Sequence, residues 1–221
     1  MMEILHNLPW SDILQATLDT LIMLGVSSAF TLVFGLPLGV LLFLTGPRQM
    51  LEQPRFYSVL SFIVNVLRSV PFIILLIVMM PFTEIIVGSS LGVVGAIPPL
   101  VVGATPFFAR LVETALREVD RGIIEATQAM GATTRQIVTG ALIPEALPGI
   151  IAGMTVTTIA LVSYTAMSGV IGGGGLGDLA VRYGYQRFQD DVMVITVVLL
   201  VVLVQLLQMF GDRLVLRFSH R

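Results

Sequence analysis

The side chains able to do covalent or metal chemistry are scarce in this sequence. Cys and Lys are both absent, and the two His residues, His6 and His220, lie near opposite ends. A Walker A site places a Lys on the nucleotide phosphates, and Ser-His-Asp or HExxH sites need imidazoles close to their partner groups. The sequence therefore excludes an ordinary nucleotide-hydrolysing site, thiolate chemistry and Cys-ligated metals. We expect a protein that is not an enzyme, with no catalytic residues, metal ligands or cofactor of its own.

One glycine pattern formally matches a nucleotide-binding motif. Gly172, Gly174 and Gly177 fit GxGxxG, but a run of four glycines produces such matches by chance, and no strand or βαβ unit surrounds them. We predict a turn here and no dinucleotide site. The net charge of −2 and the lack of a basic patch also argue against nucleic acid as a partner.

The spacing of the charged residues indicates which segments of the chain form long apolar helices. They leave five apolar stretches, four without charge and one with Arg68 alone: 20–47, 56–83, 85–109, 146–177 and 192–211. A helix crosses the hydrocarbon core with about 20 mostly apolar residues, so each stretch qualifies. We predict an all-α integral membrane protein, in the lipid bilayer as a single domain over 1–221. Its five spans are expected at roughly 20–44, 56–83, 85–109, 148–171 and 192–210.

The arginines are distributed unequally between the two sets of loops. Nine of the twelve lie in one set: 45–55, 110–145 and 211–221. By the positive-inside rule this set is cytoplasmic, which places the N-terminus outside and the C-terminus inside. Glu3, Asp12 and Asp19 precede the first apolar stretch without any Arg, whereas a signal peptide opens with positive charge. We therefore expect this stretch to be a retained span.

Two features interrupt the apolar stretches. A charge within a span is costly and marks function by default, so Arg68 is either a functional group or an interfacial Arg at the end of the membrane. We favour the interfacial, structural role. Pro98 and Pro99 are expected to kink or break the third span, with neighbouring helices or water satisfying the freed carbonyls.

The loop 110–145 is the longest in the cytoplasmic set and carries nine charges of both signs. Asp120 is placed to cap a short helix that stops at Gly131, and Thr133 with Gln136 forms a capping-box pattern that starts a second helix. Pro144 is expected to end that second helix. An amphipathic linker on the lipid surface is one explanation, but the near balance of charge favours a surface that docks a protein.

Glu125-Ala126-Thr127, Gly131 and Ile143-Pro144 follow one another at a fixed spacing in this loop. They resemble the EAA motif of ABC importer permeases, which reads Glu-Ala-Ala, three residues, Gly, nine residues, Ile, any residue, Leu-Pro. Glu125, Ala126, Gly131 and Pro144 match this pattern in register, and the chain departs from it at Thr127, Ala141 and Ile143, where small or apolar residues stand in. The resemblance implies a type I importer permease fold and a coupling helix in this loop.

Over nearly its whole length the chain resembles the permease subunits of bacterial methionine importers. This resemblance rests on the following segments: 68–72, 131–133, 144–149, 174–177 and 183–185. The resemblance implies a bacterial inner membrane location, a second copy of the chain, and two ABC ATPase subunits docking at 120–144. ATP and Mg would then lie on the ATPase partners, and a binding protein would deliver the substrate from outside. The residues assigned to coupling are Glu125, Ala126, Thr127, Met130, Gly131, Ala132 and Pro144.

The fourth span and the segment that follows it contain two further sets of candidate functional residues. Tyr164, Met167 and Ser168 are candidates for the pathway or its gate, with ordinary helix packing as the alternative. After the glycine turn, a polar segment could meet the binding protein or be a solvated loop: Asp178, Arg182, Tyr185 and Arg187.

Other functions stay open from the sequence. Within the ABC class, the substrate could be another amino acid. An ion-coupled secondary transporter is a different class and predicts carboxylates or His inside the spans, whereas the four charge-free stretches contain neither.

Overall fold

A computed structural model describes residues 9–219, which are mostly helical. The helices are α1 Trp10–Thr45, α2 Pro54–Ser69, α3 Phe72–Val87, α4 Gly92–Arg117, α5 Arg121–Ala129, α6 Thr134–Ile137, α7 Ile143–Gly169, α8 Gly175–Leu179 and α9 Asp190–Phe218. Two π-helical turns, Val138–Leu142 and Ala180–Tyr185, lead into α7 and out of α8. Some residues on which the charge and motif predictions rest lie outside the described residues: Glu3, His6, His220 and Arg221.

Four helical segments of the described chain are long and apolar enough to cross a membrane. They are α1, α4, the continuous Thr134–Gly169 segment and α9, and the bent pair α2 and α3 provides a fifth if it counts as one span. The all-α prediction is confirmed. The α1 helix has 36 residues, about 54 Å at 1.5 Å per residue, so it extends beyond a hydrocarbon core of roughly 30 Å. The charge-free stretch from residue 20 marked only part of this helix, because Asp12 and Asp19 lie on its earlier turns.

The contact between α1 and α4 is the most extensive in the fold because glycines bring the two backbones together. A Cβ on Gly39 would lie 2.5 Å from the carbonyl oxygen of Ala109 and 2.6 Å from the Cβ of Val112. A Cβ on Gly35 would lie 2.7 Å from the ring of Phe108. Gly35 and Gly39, four residues apart, thus form a small-residue face that lets the two helices approach closely.

The stretch 56–83, expected to be one continuous span, is broken at Val70-Pro71. The axes of α2 and α3 meet at 106°. Pro71 has no N–H and disfavours helical geometry at the preceding residue, and Val70 is extended with φ −75° and ψ 124°. Arg68 lies in the last turn of α2, with its guanidinium 5.6 Å from the centre of the Phe107 ring. This position at a helix end supports the structural role.

In α4 and α7, by contrast, the prolines that were expected to break or end a helix do not interrupt it. The α4 helix runs without interruption through Pro98 and Pro99, so the predicted break is not present. Pro144 does not end the second loop helix, because α6 continues through a π-helical turn into α7. In that turn the N–H of Ile143 reaches the carbonyl of Val138, five residues back, and this wider pattern admits a proline one residue later.

The α1–α4 contact predicts different effects for two substitutions on the same helix. Gly39→Ala places a methyl group against the α4 backbone and should lower the free energy of unfolding by roughly 1–3 kcal/mol. Gly25→Ala is the matched control, since nothing lies within 4 Å of its Cβ position. It should be neutral or stabilise by up to about 1 kcal/mol through helix propensity. Thermal unfolding in detergent micelles measures both, and equal melting temperatures for the two variants would contradict the close contact.

Candidate functional site

The loop between α4 and α7 is an ordered helical corner whose ends are satisfied locally. The Asp120 carboxylate accepts a hydrogen bond of 2.6 Å from the N–H of Gly122 and so caps α5, as predicted. Gly131 has φ +79°, a left-handed conformation that suits Gly at the end of a helix. The N–H of Thr133 donates to Oε1 of Gln136 at 2.8 Å, and the N–H of Gln136 donates back to Oγ1 of Thr133 at 3.4 Å. The predicted capping box is confirmed.

One face of α5 is buried and the other is open. Ile124 is buried among Leu116, Ile137 and Leu142, which joins α5 to the end of α4 and to the start of α7. The remaining faces of the helix and of its corner expose a set of side chains: Glu125, Ala126, Gln128, Ala129, Met130 and Gly131. Met130 is 78% exposed. Such an apolar side chain on a rigid corner suits burial by a partner.

The other residues predicted for coupling have mixed surroundings. Pro144 is exposed, whereas Thr127 and Ala132 are half-buried. The hydroxyl of Thr127 donates to the carbonyls of Ile123 and Ile124, so this residue serves the helix itself. We call the exposed set Glu125, Ala126, Met130 and Gly131 the coupling face.

A buried carboxylate lies just before this loop and was not singled out from the sequence. Glu113 on α4 is 2% exposed and receives hydrogen bonds from two guanidinium groups. Arg110 approaches Oε2 at 2.5 Å and Arg117 approaches Oε1 at 2.7 Å. The hydroxyl of Tyr57 on α2 also donates to Oε1, at 3.0 Å. Spacings of three and four residues between Arg110, Glu113 and Arg117 were the available signal, because such pairs share a helix face.

The same cluster joins α2 to α4. Nη2 of Arg110 donates to Oγ of Ser61 at 2.8 Å and to Oδ1 of Asn65 at 2.9 Å. Arg117, the other guanidinium of the cluster, is the last residue of α4, and α5 begins at Arg121. A displacement of the loop therefore reaches α2 through charged hydrogen bonds.

Comparison with known protein families decides what kind of chain carries this loop. The model for the binding-protein-dependent transport system inner membrane component matches residues 32–221. The chain belongs to this family. The family resemblance drawn from the EAA-like residues is confirmed, and with it a multi-pass location in the inner membrane.

Relatives of this inner membrane component match over nearly their full length. The probable D-methionine transport system permease protein MetI of Vibrio cholerae is 49% identical over 209 residues, covering 95% of this chain and 93% of that protein. The methionine import system permease protein MetP of Bacillus subtilis is 46% identical, covering 93% of each. A solved inward-facing structure of the MetNI methionine ABC transporter has a chain with 50% identity and a TM-score of 0.90, covering 100% of this chain and 98% of that one. The predicted type I importer permease fold is confirmed.

The residues predicted for the pathway of this inner membrane component differ in exposure and in their contacts on α7. Met167 is 44% exposed, and the half-buried Tyr164 stacks on Phe72 with ring centres 4.3 Å apart. Ser168 is buried, and its hydroxyl donates to the carbonyl of Thr165 at 2.7 Å. Its own carbonyl accepts from Gly173 at 2.9 Å, so Ser168 holds the glycine turn and faces no open surface of the single chain.

The residues predicted to meet a binding protein also differ in how exposed they are. Asp178 is buried and pairs with Arg182 at 2.5 Å, contrary to the expectation of a solvated loop. The hydrogen bond to Asp178 raises the pKa of Arg182 further above its ordinary value, so the guanidinium of this pair stays charged at physiological pH. Tyr185 is 72% exposed, and Arg187, also exposed, lies over the ring of Tyr183 at 4.4 Å. Tyr185 and Arg187 are therefore available to a partner, and so is Arg182, whose side chain stays 54% exposed beside Asp178.

The buried cluster predicts a graded loss of stability. Glu113→Gln keeps the shape of the side chain but leaves two guanidinium groups without their anion, and should cost roughly 3 kcal/mol. That figure is at the low end for a buried ion pair because the side chains of Arg110 and Arg117 are 20% and 38% exposed. Tyr57→Phe removes one hydrogen bond and should cost about 1 kcal/mol. Thermal unfolding of both variants in the same detergent measures the difference, and equal losses would refute the central role of the carboxylate.

Proposed function

We propose that this chain is the permease subunit of an ABC importer and that two copies form the membrane pathway for methionine. The observation that carries the proposal is the pairing of near full-length similarity to methionine permeases with an exposed EAA-like helix corner. The side of the membrane follows from the arginine distribution: the coupling face is cytoplasmic, the N-terminus outside and the C-terminus inside.

ATP and Mg bind to two partner ATPase subunits, and each of these docks on one copy of the chain at 120–144. Glu125, Ala126, Met130 and Gly131 meet the ATPase, while Ile124 anchors the helix to the bundle. Closure of the ATPase pair moves the two coupling faces as rigid bodies. The movement passes through Arg117 and Glu113 to α2, and through the continuous α6–α7 helix to the pathway.

The pathway lies along an exposed stripe of α7. Val156, Ser163, Met167 and Val170 are exposed and spaced by seven, four and three residues, which places them on one helix face. We assign this stripe to the interface with the second copy, with Met167 as an apolar gate. Tyr164 supports the gate from the same helix and is held against α3 by its stacking on Phe72. At the opposite end from the coupling face, Tyr185 and Arg187 contact an extracytoplasmic binding protein that delivers the substrate.

An ion-coupled secondary transporter is the alternative class and needs a carboxylate in the membrane that is free to exchange an ion. Among residues 9–219, the buried carboxylates are Glu113 and Asp178. Both are held in ion pairs with Arg side chains, Glu113 with two of them. This arrangement favours the ATP-driven mechanism.

The corner of the coupling face predicts an uncoupled variant. Gly131→Val forces a β-branched residue into φ +79° and adds bulk at the docking surface. Backbone strain of about 1–2 kcal/mol displaces the corner, so uptake per ATP hydrolysed should fall about tenfold while the complex still assembles. Gly140→Val is the control, since Gly140 is exposed, has nothing within 4 Å of its Cβ position and lacks a positive φ. Parallel measurement of uptake and ATP hydrolysis in membrane vesicles tests this, and unchanged uptake by Gly131→Val would count against the coupling face.

The substrate is tested by uptake of labelled methionine in a bacterial strain that lacks its own methionine importer. The chain, its ATPase subunit and its binding protein are expressed together, and co-purification first establishes the complex. Uptake should appear only when all three are present. An intact complex without methionine uptake would transfer the proposal to another amino acid, and the lack of any ATPase in the purified complex would refute the ABC assignment.

A further inference from the structure

A charged groove lies beside the coupling face, and a second segment of the chain supplies part of its lining. It has a volume of about 190 Å³ and lies between the α1–α2 connection and α5. Its polar lining comes from Arg48 and Gln49 on the connection, and from Arg121, Glu125 and Gln128 on α5. We call it the connection groove. Glu125 belongs to both the groove and the coupling face, so a protein that covers that face also covers the groove.

The charges of the connection groove have no partners within the described chain. Arg48, Arg121 and Glu125 form no ion pair or hydrogen bond through their side chains with any residue of 9–219. The arginines beside Glu113 and Asp178 are, by contrast, paired with those carboxylates. Two guanidinium groups and one carboxylate around a small groove leave an excess of positive charge and of hydrogen-bond donors. A carboxylate inserted between the arginines would supply the missing acceptors in bidentate geometry.

The connection holds Arg48 in a defined position. The N–H of Leu51 donates to the carbonyl of Leu44 at 3.1 Å, and the N–H of Gln53 donates to the carbonyl of Thr45 at 3.1 Å. Met50 packs against the buried cluster that contains Ile124, which fastens the connection to α5. Within this turn Arg48 has φ +62°, a conformation that Gly adopts more readily than Arg. The turn and α5 therefore present their arginines from one rigid surface.

We propose that the connection groove is a second docking element for the ATPase subunit and receives an acidic side chain of that subunit between Arg48 and Arg121. The inference rests on the proposed function and extends the docking surface beyond the loop 110–145 to the α1–α2 connection. A protein carboxylate is favoured over an anionic lipid headgroup because Glu125 lines the groove and repels a diffuse negative surface, while a single carboxylate can avoid it. The amides of Gln49 and Gln128 offer further hydrogen bonds to a protein edge.

Photo-crosslinking in the assembled complex tests the occupant directly. A photoreactive amino acid at position 48 should crosslink to the ATPase subunit, at a peptide that contains Asp or Glu, as identified by mass spectrometry. The same amino acid at position 55 is the matched control, because Arg55 is exposed at the start of α2 and does not line the groove. Crosslinks from position 48 to lipid alone, or equal ATPase crosslinks from both positions, would overturn the proposal.

Two substitutions measure the role of charge. Arg48→Gly removes the guanidinium at a backbone conformation that suits Gly, so the turn is kept and misfolding does not explain a loss. We expect the ATPase subunit to dissociate from the purified complex roughly 3- to 10-fold more readily, with a weaker dependence on salt concentration. Arg121→Glu should have a larger effect, and Arg55→Gly should have none.

The outcomes separate this inference from the proposed function. If the unaltered chain fails to co-purify with any ATPase subunit, both fail together. If it co-purifies and the Arg48→Gly complex is as stable and as salt-sensitive as the unaltered one, the connection groove is not a docking element. The permease assignment would then stand on the coupling face alone.

Discussion

The ion cluster at Glu113 is the interaction that fixes α2 against α4 beside the loop 110–145. A carboxylate with 2% exposure at the end of a membrane helix costs several kcal/mol unless it is paired and hydrogen-bonded. Arg110, Arg117 and Tyr57 provide those bonds together. Because any separation of α2 from α4 would leave these charges unmatched, the two helices behave as one unit at the end that carries the coupling face.

The break at Val70-Pro71 defines the limit of that unit. Beyond it α3 turns by 106° and packs through Phe72 on Tyr164 of α7. The segment 54–87 thus joins the charged end of α4 to the pathway helix while changing direction in between. The arrangement is therefore two packed contacts joined at a bend that Pro71 sets.

Close helix approach imposes the second constraint. Apolar helices gain no hydrophobic energy from association within lipid, so their contacts depend on dispersion between closely fitted surfaces. Gly35 and Gly39 allow α1 to meet α4, and Gly211 allows α9 to meet Thr155 of α7. At the far end, Gly175 admits Thr20, whose hydroxyl accepts the N–H of Leu176 at 2.8 Å. Replacement of hydrogen by methyl at these glycines would therefore disturb the helix contact at each of these sites.

The sequence by itself determined the helical membrane class, the family and the local form of the coupling loop. The membrane class and the form of the loop follow from charge spacing and from short-range hydrogen bonds such as those of Asp120 and of Thr133 with Gln136, which need no distant partner. The family follows from the resemblance of the EAA-like residues to a known motif. Only the tertiary structure decided which prolines interrupt a helix, since Pro71 breaks one whereas Pro98 and Pro144 do not. It also decided that Glu113 and Asp178 are buried, that Ser168 supports a turn, and that Arg48 lies beside α5. The physical reason is that burial depends on residues distant in the sequence, such as Tyr57, which lies 56 positions before Glu113 and donates a hydrogen bond to it, and no local pattern specifies such a contact.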